Sequence, residues 1–271
     1  MTTPLFSASA LLTALATAVY LAYAPRSPRR EQSLLARRAL VVLCAGAFTS
    51  ACLLAPPVAA AVDRVTGHGG AGALLWDMTS GLTILSMQLV TVNWWYPTAW
   101  VRGAVVAHIV FFCGVMAVLV WEFQYVRASS AQLFLASHVN GMAGAFVLTH
   151  LGFLVVMATA VSLQYIALAC RAWSRSRPVA AAGLAVSAVG CVLGLAYSGT
   201  RAGLTIAHLA GRTLPSVVET HVVPITGALA ALLVTVGITL PTITQRVLLP
   251  RNRPATGQAA KDTAVRRIAL P

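Results

Sequence analysis

The sequence predicts an all-α fold, a bundle of seven membrane-spanning helices with the N-terminus outside and the C-terminus in the cytoplasm. Three observations predict it. Of the 271 residues, 58% are hydrophobic and only 9% charged, whereas a soluble domain has roughly 45–50% apolar and 25% charged residues. Seven runs are long and apolar enough to cross a bilayer, which takes about 20 residues per helix. The basic residues are confined to short connections that alternate between rich and poor.

The runs cover roughly 5–24, 39–62, 71–92, 103–121, 141–169, 179–199 and 222–245, each bounded by Arg, Pro, Gly or Asp. The first resembles a secretory signal, with Ala22-Tyr23-Ala24 as a small-x-small cleavage site. It has no basic residue ahead of it, it is longer than the roughly 7–15 residues of a signal core, and Pro25 would follow the cut, so it is read as a span. The connections after the odd-numbered runs, including the C-terminal segment, hold 15 of the 19 bases, and those after the even-numbered runs hold Arg64, Arg127, Arg201 and Arg212. Bases collect on the cytoplasmic side, which sets the orientation and places the chain in the cytoplasmic (inner) cell membrane. Two parts follow: a transmembrane domain over 1–246 and a basic, disordered cytoplasmic tail over 247–271 that has no apolar periodicity.

A net charge of +13 suggests nucleic acid in a soluble chain, but these bases sit in clusters between apolar runs and not on a helix face with interleaved aromatics, so nucleic acid is set aside. Trp94, Trp95, Tyr96 and Trp100 gather where the third run meets the cytoplasm, as an interfacial belt does. The five cysteines form no Cys-x-x-Cys pair and read as small apolar residues. Gly183, Gly190 and Gly194 in the sixth run, and Gly141, Gly144 and Gly152 in the fifth, predict close helix approach. Pro56-Pro57 and Pro224 predict kinks inside the second and seventh spans.

Certain segments carry a family resemblance: the stretch from Ala55 to Gly67 with its Pro-Pro and Asp-Arg pairs, Trp94-Trp95-Tyr96-Pro97, Gly190 to Tyr197, and Val236-Gly237-Ile238-Thr239-Leu240-Pro241. Through them the chain resembles a family of actinobacterial seven-helix integral membrane proteins classed as transporters, without an established substrate. Longer members continue into a C-terminal cytoplasmic domain, which this sequence, ending at Pro271, lacks. The resemblance implies location, helix count and a transporter class, and it names no site residue.

Ionisable and strongly polar side chains within spans are costly, so each is a functional candidate. The candidate intramembrane polar site comprises Asp77, His150, Gln88 and His108. Asp77, Ser80, Gly81, Ile84 and Gln88 share one helix face, while Leu82, Leu85 and Leu89 form another that should meet lipid. His150 shares a face with Leu154, Met157, Val161 and Gln164. Asp77 and His150 lie at similar depth, so the two are expected to face each other across the third and fifth spans, as a ligand or proton site or as a pair that fixes helix register; the alternative is an Asp77 close enough to the outer headgroups to reach water. Neither face shows metal-ligand spacing, and no phosphate loop or nucleophile elbow is present, so no metal, cofactor or enzyme is predicted. Arg201, His208, Arg212, Glu219 and His221 fall in an outer connection, 200–221, where they could form a catalytic cluster at the outer surface but are read as a solvated loop.

Two functions fit. One is a small-solute or ion transporter; spans one to three and five to seven run in the same direction, as in parallel-repeat carriers, although residues 5–92 and 141–245 show no self-similarity. The other is a sensor or scaffold module without flux, and the partners are accordingly the lipid bilayer, a small-molecule or ion ligand and, under the second reading, a cytoplasmic regulator.

A reporter active only outside the cytoplasm is expected to score when fused after Gly67, Ser130 or Gly211 and to stay silent after Ser33, Ser176 or Thr256. Activity after Ser176 would invert or delete a span and overturn the seven-helix topology.

Overall fold

A computed structural model of the chain describes residues 31–96, 98–135, 141–212 and 217–243, together with residues 11, 14, 15 and 18, which are helical. The first predicted span and the 247–271 tail lie outside these residues, apart from the four named. All regular structure among the described residues is helical. The elements are α1 (Glu31–Leu53), α2 (Pro56–Thr66), α3 (Ala71–Trp95), α4 (Thr98–Phe123), the one-turn α5 (Ser130–Leu133), α6 (Gly141–Ser174), α7 (Pro178–Leu209), a π-helical turn (Val218–Val222) and α8 (Val223–Ile243). Five helices are long and apolar enough to cross a membrane, or six if the bent pair α1 and α2 counts as one span. The described residues therefore do not contain the seven straight spans that the sequence predicts.

The second span departs most from expectation. Pro56-Pro57 do not kink a continuous helix but end it, and α2 leaves α1 at 90°. The reason is local. A residue before proline is driven out of the helical region, and Ala55 is extended with φ −74° and ψ 119°. Proline lacks the N–H that continuation requires yet suits the first turn of a new helix. Having turned by 90°, α2 cannot continue the crossing of α1, and it lies across one end of the bundle.

Three further expectations are corrected. α7 runs 32 residues to Leu209, so Arg201 and His208 belong to a helix about 48 Å long and not to a solvated loop. No proline interrupts the sequence before Pro215, and its one internal charge, Arg201, is buried within the bundle. Pro224 sits just after the π turn, at the second position of α8, so the helical irregularity here is a π turn ahead of the proline. The leucine face of α3 is not uniformly lipid-facing, because Leu82 is exposed but Leu85 is buried. α3 packs against α1, α2, α4, α5 and α6, which leaves it little free surface.

Around this central helix, α6, α7 and α8 pack in sequence, and α4 touches the rest through one face marked by the buried Met116, Leu119 and Glu122. The small residues act selectively. A Cβ on Gly190 would lie 2.8 Å from the Val234 backbone nitrogen, and one on Gly144 2.9 Å from the Leu209 side chain. Gly190, Gly144 and the Gly183–Gly237 contact therefore set helix spacing, whereas Gly141 and Gly152 face open space and Gly194 meets only Ala230, at 3.9 Å. At the end away from α2, the Arg171 guanidinium lies 4.3 Å from the centre of the Trp95 ring, while Tyr96 and Trp100 are exposed.

The α2 end is held by Asp63. One carboxylate oxygen accepts from the Gly72 backbone N–H at 2.8 Å and the Ser130 hydroxyl at 2.7 Å, and the other from the Ser130 N–H at 2.9 Å. Partial burial works against the charge, but these hydrogen bonds outweigh it and hold the carboxyl below its ordinary 3.8. A lowered folded pKa means that the stabilisation is present above pH 3.8 and is lost as the pH falls through the folded value. Asp63→Ala is expected to destabilise the detergent-solubilised protein by about 1 kcal/mol near neutral pH, with the gap to wild type closing below pH 3.8. A pH-independent gap in melting temperature would show that Asp63 acts through packing alone.

Candidate functional site

Three helices converge on a polar cluster within the bundle. Asp77 lies in the second turn of α3, where the chain has just been anchored by Asp63 and Ser130, and Trp76 and Ser80 flank it. His150 comes from the third turn of α6, and Tyr197 and Arg201 lie one turn apart on α7. Asp77, His150 and Arg201 are all buried, at 5%, 2% and 6% exposure.

The His150 Nε2 atom is 3.4 Å from Asp77 Oδ1 and 3.3 Å from Ser80 Oγ. The Ser80 hydroxyl donates to the Asp77 backbone carbonyl at 3.1 Å, so its oxygen is left to accept. With two acceptors facing it, Nε2 is assigned the proton and donates to both the carboxylate and the serine oxygen. In the neutral ring this makes Nδ1 the lone-pair nitrogen, and among the described residues no group pairs with it. The Trp76 ring packs against His150 at 5.2 Å between centroids and against Phe134 at 5.9 Å.

Arg201 closes the cluster from α7. It donates at 2.7 Å to the Tyr197 hydroxyl and at 2.7 Å to the backbone carbonyl of Leu133, and its Nε has no acceptor. Its guanidinium carbon is 5.8 Å from the centre of the Trp76 ring. Between Asp77, His150 and Arg201, walled by Phe146, Val147 and Leu151, lies a cavity of about 10 Å³. That is room for one water, which would accept from Arg201 Nε–H and donate to His150 Nδ1.

A second cavity, of about 1000 Å³, lies on the other side of Trp76, Ser80 and Arg201. Its walls come from α1, α2, α3, α6, α7 and α8, with α5 and the π turn at the α2 end, and it runs from there to Met87, Ala158 and Val234 near mid-bundle. Arg201 and Trp76 line both cavities, and Ser80 lines the larger one while touching His150. The charged cluster thus stands directly behind the wall of a ligand-sized chamber.

Of the four residues singled out in the sequence, Asp77 and His150 are brought together and Gln88 and His108 stand apart. Gln88, three turns further along α3, donates from Nε2 to the Met157 carbonyl at 3.3 Å and is fully buried between helices. His108 Nδ1 lies 2.7 Å from the Ala104 carbonyl one turn back on its own helix. Sequence reasoning missed Arg201, Tyr197 and Trp76, and it also missed Glu122, whose carboxylate accepts from Thr149 at 2.9 Å beside His150. One signal was available for Arg201: the i, i+4 spacing of Tyr197, Arg201 and Thr205 in a stretch without a helix breaker.

No protein-family model, curated protein or solved structure matches the chain. The functional reading rests on the geometry.

Asp77→Asn is expected to lower stability by about 1.5 kcal/mol, because it replaces the charged acceptor of the buried His150 Nε2–H with a neutral one. Adding His150→Gln should return at least about 1 kcal/mol of that loss in a thermal double-mutant cycle. Strictly additive losses would mean that the two side chains do not act as a pair.

Proposed function

We propose that the chain is a transporter of a small solute or ion in the cytoplasmic membrane, with the α2 end facing outward. The observation that carries this reading is the Asp77–His150–Arg201 cluster standing behind the wall of a chamber of about 1000 Å³ in a bundle of apolar helices. Buried ionisable groups in such helices are expensive, and they mark substrate and ion paths more often than lipid contacts. Ser80 and Arg201 touch the chamber on one side and the cluster on the other, so a solute and a charge can influence one another through single side chains.

A sensor or scaffold module without flux is the second reading. It is favoured by the extent of the chamber, whose lining stops near mid-bundle, as a receptor pocket entered from one side would.

Solid-supported-membrane recordings on proteoliposomes, with a panel of organic anions, amino acids and inorganic ions, separate the two. The transporter reading expects a substrate-dependent current or flux that falls at least tenfold in Asp77→Asn. Saturable ligand binding with no flux of any solute in the wild-type protein would overturn it in favour of the sensor.

A further inference from the structure

We propose that the large cavity binds a single-chain amphiphile with a carboxylate headgroup, the carboxylate seated on Arg201 and the chain lying along the apolar wall. The inference deepens the reading of that cavity as the solute site. It names the ligand's chemistry.

The headgroup follows from Arg201. Its guanidinium offers five N–H donors and uses them on two neutral acceptors, the Tyr197 hydroxyl and the Leu133 carbonyl. Each terminal nitrogen carries a second N–H beyond these two bonds, and the side chain is buried. Among the described residues no carboxylate lies within 4.0 Å of the guanidinium; Asp77 is taken by His150. A buried cation whose hydrogen-bond partners are all neutral, with Asp77 acting on it only through space, can take an anionic ligand, and the planar fork of arginine suits a carboxylate. Arg201 is also the one cation among the described residues that line this cavity. Two acids line it as well, Asp63 and Glu219. Both belong to the α2 end, and Asp63 is saturated by Gly72 and Ser130.

The chain follows from the rest of the wall. Beyond Arg201 and Trp76 most of the lining is apolar, through Leu43, Ala47, Ile84, Met87, Ala158 and Val234, with the hydroxyls of Ser50, Thr83 and Thr235 among them. From Trp76 to Met87 the wall follows α3 for eleven residues, about 16 Å, the length of a long alkyl chain. A volume of about 1000 Å³ is at the top of the range for small-ligand pockets, which runs from about 300 to 1000 Å³. α1 packs on α3 and α8 packs on α7, and both pairs contribute apolar side chains to this wall.

The test is equilibrium binding of radiolabelled dodecanoate to the full chain in zwitterionic nanodiscs, by scintillation proximity, with empty nanodiscs subtracted. The expected result is saturable binding of one dodecanoate per chain, displaced by unlabelled dodecanoate and at least tenfold less well by dodecanol or dodecyltrimethylammonium. Gly194→Phe projects a ring into the cavity from a position where a Cβ meets only Ala230, at 3.9 Å, and leaves Arg201 intact; it should weaken binding at least tenfold. Arg201→Lys keeps the charge, loses the fork and should weaken binding about tenfold. No saturable binding by the wild-type chain, displacement by the ammonium analogue as strong as by the carboxylate, or full affinity in a folded Gly194→Phe or Arg201→Lys protein would overturn the proposal. No gradient is involved, so binding without flux removes the transporter and keeps this site. Flux of a small polar solute that dodecanoate does not inhibit, by a chain that does not bind dodecanoate, does the reverse.

Discussion

A guanidinium inside an apolar bundle is the constraint on which much of this structure depends. Lipid supplies no hydrogen-bond partner, so every donor of Arg201 has to be met by protein, bound water or ligand. One acceptor is the Leu133 carbonyl, which is free only because α5 stops after a single turn. α5 in turn is positioned by Ser130, whose hydroxyl donates to Asp63 and accepts from the Ala73 N–H. A four-residue helix thereby ties α2, α3 and α7 together through polar contacts at one end of the bundle. The Ser129 capping box, with Gln132 closing back on the Ser129 N–H, stabilises that turn where propensity alone could not.

The same argument explains what was legible in the sequence. Runs of apolar residues are read directly because the bilayer selects for them, and the described spans fall where those runs are. Asp77 and His150 could be matched because each stands alone in its span at a countable depth from a helix end. Arg201 could not. A charge near the end of an apolar run reads as the edge of the membrane, and only the tertiary partners Tyr197, Leu133 and Trp76 reveal that the helix carries it inside. Pro56-Pro57 announced a disturbance but not its size. Whether a proline pair bends a helix or ends it depends on what the next segment can hold on to, and α2 holds on through Asp63 to an element 67 residues away in sequence. Glycines were likewise ambiguous: Gly190 and Gly194 share a motif, yet only the first touches the backbone of α8.

The cluster and the chamber belong to one electrostatic system. In a low-dielectric interior, charges separated by a single side chain feel one another strongly. Ser80 accepts from His150 Nε2 and faces the chamber, and Arg201 faces both cavities. An anion placed on Arg201 therefore lowers the positive potential at the imidazole, and a change at Asp77 or His150 alters how firmly the guanidinium can hold that anion. Such reciprocity is what coupling requires, whether the output is movement of a solute or a change of shape.

What distinguishes those outputs is the other half of the bundle. The chamber lining reaches Thr235 on α8, and two residues further the backbones of α7 and α8 close on each other, with Gly237 against Gly183 and Ser187. Small residues there permit an approach that no larger side chain would allow, and they also leave no bulky knob to unlock if the helices part. A transport cycle has to separate α7 from α8 at this contact while the α2 end, clasped by Asp63 and Ser130, closes above the solute. A receptor leaves it shut. The tightest helix packing in the described chain thus lies at the point where the two functions make opposite demands.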